Sequence, residues 1–163
     1  MIVVSNTTPI ISLLKLNKLN LLKEMFGEVI IPVAVFNEIT VKNAFAEEVA
    51  KFNASNFIKV IPIKNEFAVN ILQKQLGLDL GESEAITLAE DIKSNLLLID
   101  ERKGRRVAEE SGLSIAGTLG IIAKSKKLGL IDEVKPLLDL LIANSIRIST
   151  DLYTEILSIS NEK

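Results

Sequence analysis

The run Asn95-Leu96-Leu97-Leu98-Ile99-Asp100-Glu101-Arg102 decides how this chain folds. Its four apolar residues follow one another without alternation, the mark of a strand covered on both faces. The acid that closes the run must find a cation or hydrogen-bond donors, because a carboxylate at the rim of a buried strand loses hydration. Four other short runs share the pattern: Ile2-Val3-Val4 and residues 28–31, 57–61 and 113–116. Segments of helical period lie between them. Thr7-Thr8-Pro9 offers a cap and a first-turn proline, with Ile10, Ile11, Leu13 and Leu14 as the buried face. A second helix runs through Leu19, Leu22 and Phe26 to a stop at Gly27. Val33, Phe36 and Ile39 define a third after Pro32, and Phe45, Val49 and Phe52 a fourth. Residues 66–76 follow, and then Asp79-x-x-Glu82 opens a helix in capping-box form with Ala85, Ile86 and Ala89 inward. Stretches 104–111, 118–127, 131–143 and 150–159 complete the set. Strands alternating with helices predict an α/β fold, a three-layer α/β/α sandwich around a mainly parallel sheet of about five strands. A single domain is expected over residues 1–163, with a helical part from Thr118 packed on one side.

Composition narrows the chemistry. The chain has 163 residues, 48% apolar and 25% charged, which is globular rather than disordered. Nineteen Lys and Arg against 21 Asp and Glu leave a net charge of −2, so any nucleic-acid binding must use a local patch. The absence of Cys excludes disulfides, a thiol nucleophile and thiolate metal sites. The absence of His excludes a Ser-His-Asp triad and a His-ligated metal. All six Phe lie between Phe26 and Phe67, with Tyr153 the one later aromatic, so an aromatic RNA-stacking platform is not expected. The first Lys is Lys15 and no apolar run nears the ~18 residues of a membrane span, so a cytoplasmic protein without membrane contact is expected.

In a parallel sheet the working site lies outside the carboxyl ends of the strands. Asn6 falls just past the first strand, Asp100 and Glu101 just past the fourth, and Glu82 in the first turn of a helix. Glu38 sits on the helix after the second strand, beside Phe36 and Ile39. Plainer roles are open to each: Glu82 as the last member of its capping box, Glu38 as a solvated helix residue. Glu84 reads as a surface charge. A cluster of oxygen ligands without His or Cys suits Mg²⁺ or Mn²⁺. Arg102, Lys103, Arg105 and Arg106 put four cations directly after Asp100, and Lys124, Lys126 and Lys127 make a second basic group. These could grip flanking phosphates or form a solvated face. Neither G-x-G-x-x-G nor a P-loop is present, and Gly117-Thr118-Leu119-Gly120 lacks the phosphate-binding Lys.

Four local strings carry a resemblance: Ser5-Asn6-Thr7-Thr8-Pro9, Ile31 to Ile39, Leu80-Gly81-Glu82, and Leu98-Ile99-Asp100-Glu101-Arg102. With Gly104-Arg105-Arg106 and Gly117 to Gly120, they resemble the PIN domain, in a branch of uncharacterised PIN-like proteins, over residues 2 to about 157. The family places an acid after the first strand, one on an early helix and two about eighteen residues apart around the fourth strand. Asn6, Glu38, Glu82 and Asp100 match those positions. The resemblance implies a metal-dependent ribonuclease, in many relatives the toxin of a toxin–antitoxin pair. It implies Glu38, Glu82 and Asp100 as catalytic ligands of Mg²⁺ or Mn²⁺, with Asn6 a neutral fourth. It also implies an RNA substrate, a protein antitoxin and a homodimer, and Arg102, Arg105 and Arg106 supply the positive charge that RNA binding beside an acidic pocket needs. Thr7, Glu101 and Thr118 are accessory candidates. Asn6 departs from the family's usual Asp, and it favours the alternative of a PIN-like module that binds RNA or protein without hydrolysis.

Overall fold

Five strands form one sheet in which every pairing is parallel, in the computed structural model that describes all residues, Met1–Lys163. In chain order the elements are β1 (Val3–Ser5), α1 (Thr7–Lys15), α2 (Asn20–Phe26), β2 (Val29–Ile31), α3 (Val33–Thr40), α4 (Ala46–Ala54) and β3 (Ile58–Val60). There follow α5 (Glu66–Lys74), α6 (Leu80–Asp91), β4 (Leu96–Leu98), α7 (Arg102–Glu110), β5 (Ile115–Ala116), α8 (Thr118–Lys127), α9 (Lys135–Ala143) and α10 (Thr150–Ile159). The strand order is β3-β2-β1-β4-β5. The chain winds outward from β1 through β2 to β3, then crosses back to β4 and winds the other way. The gap between the carboxyl ends of β1 and β4 is therefore the switch point of the sheet.

Successive strand residues divide between two cores, which is why the apolar runs do not alternate. Val3 and Leu98 enter the larger core, with Ile10, Leu13, Leu22 and Ile31. Val4, Leu97 and Ile99 enter the other, with Ala85, Ile86, Leu88 and Val107. Each such fully buried aliphatic side chain contributes about 1.5–3 kcal/mol. Leu137, Leu138, Leu141, Ile156 and Leu157 bring α9 and α10 onto the larger core only, so the helical C-terminal part thickens one face of the sandwich.

Two helices start at residues other than those expected, and α5 ends at Lys74 rather than 76. Helix α7 begins at Arg102, ahead of the expected residue 104, because Glu101 takes the extended N-cap conformation. Helix α9 begins at Lys135 rather than 131, because Pro136 belongs in a first turn and has no N–H to offer a preceding one. Near the C-terminus, Glu162 accepts from Lys126 Nζ at 2.7 Å, Val134 N–H at 2.8 Å and Lys135 N–H at 3.0 Å. Burial alone would raise its carboxyl; the bonds from Lys126 and the two amides outweigh that and hold it below the ordinary carboxylate range. No helix is long and apolar enough to cross a membrane.

Candidate functional site

Asn6 leaves β1 at the switch point, its N–H donating to the Leu98 carbonyl of β4 at 2.8 Å. Its side chain is 3% exposed, and its Oδ1 is buried with no hydrogen-bond partner. Asn6 stands at the N-cap position of α1 but makes no capping bond. An unsatisfied buried oxygen costs about 1–3 kcal/mol, so this one is poised for a donor or a cation. Next to it, Thr7 Oγ1 donates to Glu38 Oε2 at 2.5 Å, so Thr7 orients Glu38 rather than capping the helix. Glu38 is half-buried, and its carboxylate lies against Gly81 in the first turn of α6. A Cβ at Gly81 would stand 2.5 Å from Glu38 Oε1, so only glycine admits this approach.

Glu82 follows Gly81 and is 7% exposed. Asp79 Oδ1 caps α6 by accepting the Glu82 N–H at 2.8 Å. The Glu82 carboxyl in turn lies against Asp79, whose side chain and backbone N–H both bear on its ionisation. Burial first, and then the charges of Asp79 and Glu101, push the Glu82 carboxyl up to about 7. Gly104 in the first turn of α7 closes over it: a Cβ there would lie 3.5 Å from Glu82 Oε2 and 2.7 Å from the Ile99 side chain. A line of contacts thus runs from Thr7 through Glu38, Gly81 and Glu82 to Gly104, across the N-termini of α1, α6 and α7.

Asp100 stands on the other side of β4's end and is half-buried. Its Oδ1 accepts the Thr118 N–H at 2.7 Å and its Oδ2 accepts Thr118 Oγ1 at 2.6 Å, fixing it to the start of α8. Gly117 leaves the space this needs, since a Cβ there would lie 2.8 Å from both Asp100 Oδ1 and Arg105 Nη1. Arg105 Nη1 donates to the Ile99 carbonyl at 2.9 Å. All four predicted ligands reach the same edge of the sheet, but Glu38 lies against the first turn of α6 and Glu82 under the first turn of α7, while Asp100 is turned to Thr118. No three acids stand close enough to grip one metal ion together.

The basic residues separate. Arg102, Arg105 and Arg106 share a shallow concavity with Asp100 and Glu109. Lys103 leaves this face, its Nζ lying over Gly77 beyond α5. Lys124 and Lys127 are exposed in the last turn of α8, the end opposite Thr118, and Lys126 is bound to Glu162. Glu101 is exposed at the N-cap of α7. Glu84 is not a surface charge: it is half-buried and accepts the Ala34 N–H at 3.0 Å, capping α3 from fifty residues away. Two participants escaped sequence reasoning. Asp79 bears on the ionisation of Glu82, a role hidden behind its cap. Arg147 lines a groove that also holds Asp100 and Arg105, and its signal was being the only cation between Lys135 and Lys163.

A family model described as a PIN domain matches residues 2–162. The chain belongs to the PIN-domain family. No curated protein matches it. The PIN domain is a nuclease fold, and PIN domains are generally divalent-metal dependent. The switch-point edge of this PIN domain fits such an ion on two counts. Asn6 Oδ1 is a buried oxygen lacking a partner, and Glu82 is a buried acid among like charges that a cation would relieve. The donors are all oxygens, as Mg²⁺ and Mn²⁺ require.

Proposed function

We propose that this PIN domain is a Mg²⁺- or Mn²⁺-dependent endoribonuclease acting in the cytoplasm, as the toxin of a toxin–antitoxin pair, with a protein antitoxin and a homodimeric state. The reading is carried by two features of the switch-point edge: the buried Glu82 carboxyl in α6, raised to about 7, and the unpartnered Asn6 oxygen just past β1. Glu38, Glu82 and Asp100 would surround the ion, at least one of the three reaching it through water, with Asn6 as a neutral ligand. When bound, the ion polarises the scissile phosphodiester and lowers the pKa of an attacking water.

The chain's own residues supply the rest. Thr7 fixes the rotamer of Glu38, and Thr118 fixes that of Asp100. Glu101 adds negative potential beside Glu82. Arg102, Arg105 and Arg106 surround Asp100 with positive charge, which draws the RNA backbone to an edge that would otherwise repel it. Arg105 keeps four N–H donors beyond the one given to Ile99, roughly enough for a bidentate phosphate contact.

The deciding measurement is cleavage of structured and single-stranded RNA with Mg²⁺ or Mn²⁺, beside titration calorimetry of the metal. Glu82→Gln and Asp100→Asn should each lower cleavage by more than about a hundredfold. Cleavage that survives either change, or survives chelation, sinks the reading. The second reading, a binding module without hydrolysis, is favoured by the neutral Asn6 and by the two donors already on Asp100. It predicts RNA or protein binding with no metal-dependent cleavage in the wild-type chain.

A further inference from the structure

A groove of about 780 Å³ opens beside Asp100 and runs between α7 and the segment 146–148. Its character differs from that of the acidic edge. Leu119, Ile148 and Leu152 give it an apolar floor, and Arg102, Arg105 and Arg147 border it. Gly120 also lines it, and a Cβ built there would meet nothing within 4 Å, so the α8 wall is open at that point. The volume lies within the range of about 300–1,000 Å³ typical of small-ligand clefts. Arg147 is exposed and is the only basic residue between Lys135 and Lys163, a stretch whose charges are otherwise acidic. Arginines at the border of an apolar floor match a phosphate and the flat face of the base attached to it.

We propose that this groove is a nucleotide subsite, in which one unstacked base of single-stranded RNA rests on the floor made by Leu119, Ile148 and Leu152 while Arg147 and Arg105 hold the adjoining phosphate. The inference rests on the ribonuclease reading for its choice of occupant. Continuity supports it: Asp100 and Arg105 belong both to the groove and to the sheet edge, so a strand leaving the edge enters the groove directly. Charge supports it as well. Three arginines border the groove against Asp100 and Glu101 at its mouth, and Asp100 already carries two donors from Thr118. Aliphatic contact favours a base over a second phosphate, because a phosphate on that floor would lose its water without gaining donors.

The test is fluorescence anisotropy of labelled single-stranded RNA in EDTA, where neither metal binding nor cleavage intervenes. Arg147→Ala should weaken binding about tenfold and reduce the slope of log K against log salt by about one. Gly120→Leu fills the open wall with a strong helix former, and should weaken binding without changing that slope. A series of oligonucleotides, each abasic at one position, should show one sensitive position in the wild-type protein and none in Gly120→Leu. Thermal melts should show both variants folded, and Mn²⁺ calorimetry should show both unchanged in metal affinity. Wild-type affinity and slope in Arg147→Ala overturn the proposal, as does indifference to every abasic position. A wild-type chain that binds an acidic peptide but no RNA also overturns it, and assigns the groove to a protein partner. Should the groove variants behave as expected while no metal-dependent cleavage is found, the ribonuclease reading fails and the subsite stands.

Discussion

Asn6 puts a neutral amide at the point where the sheet's direction of winding reverses, and its oxygen has no partner. A carboxylate there would add one charge to the edge already occupied by Glu38 and Glu82. At an effective dielectric near 20 and ~4 Å, a divalent cation gains ~8 kcal/mol gross from one carboxylate. Desolvation and repulsion among the acids cancel most of that, leaving about 1–2 kcal/mol. Asn6→Asp is therefore expected to tighten Mn²⁺ or Mg²⁺ about tenfold by titration calorimetry, and to lower the melting temperature of the metal-free protein. Equal metal affinity in both forms means that the amide oxygen suffices. Asn6 was legible as a ligand candidate because a residue just past a buried strand has a predictable place in a parallel sheet. Its lack of a partner was not legible, since that depends on what β4, α1 and α6 bring near it from distant parts of the chain.

Helix α8 is the element that holds Asp100. Thr118→Val keeps the shape of the side chain but removes the hydroxyl, leaving Asp100 Oδ2 without its 2.6 Å donor. We expect a loss of about 1–2 kcal/mol in denaturant unfolding, recovered in Thr118→Ser. Unchanged stability in Thr118→Val means that the backbone N–H alone anchors Asp100. The strands and most helices could be read from sequence because each depends on the spacing of its own apolar residues. The basic run 102–106 could have been divided by the same rule. At about 100° per residue, Arg102, Arg105 and Arg106 share one helical face and Lys103 does not. Glu84 is different in kind. Its bond to Ala34 joins α6 to α3 across the fold, and no local pattern distinguishes such a cap from a solvated acid. The same holds for Lys126, whose charge is taken by Glu162.

At the scale of the whole molecule, the acidic edge makes stability depend on pH. Glu82 binds its proton more tightly folded, at about 7, than at its ordinary value of 4.5. Between those values the folded protein carries more protons than the unfolded chain, so stability falls as pH rises through this window and levels off above 7. The fall amounts to at most about 3 kcal/mol. Glu162 acts in the opposite sense, contributing stability that is lost as pH falls through its lowered value. Melting temperatures followed by circular dichroism should decline from pH 5 to 7 in the metal-free protein. Glu82→Gln should remove the decline, and saturating Mg²⁺ should reverse it by favouring the ionised carboxylate. A flat profile in the wild-type protein contradicts the assigned environment of Glu82.

The order of the strands also sets a schedule. β1 pairs on one side with β2, where Val4 meets Ile30, and on the other with β4, where Val3 meets Leu96. At about 5–20 residues per second, the roughly 90 residues between β1 and β4 take on the order of 5–20 s to synthesise. Throughout that interval one edge of β1 has nothing to pair with, and Asn6 lacks the Leu98 carbonyl that receives its N–H. Asp100 and its anchor Thr118 are made later still. The nascent chain therefore spends its time on the ribosome, amid abundant RNA, without an assembled acidic edge, which comes together only after the greater part of the polypeptide has emerged.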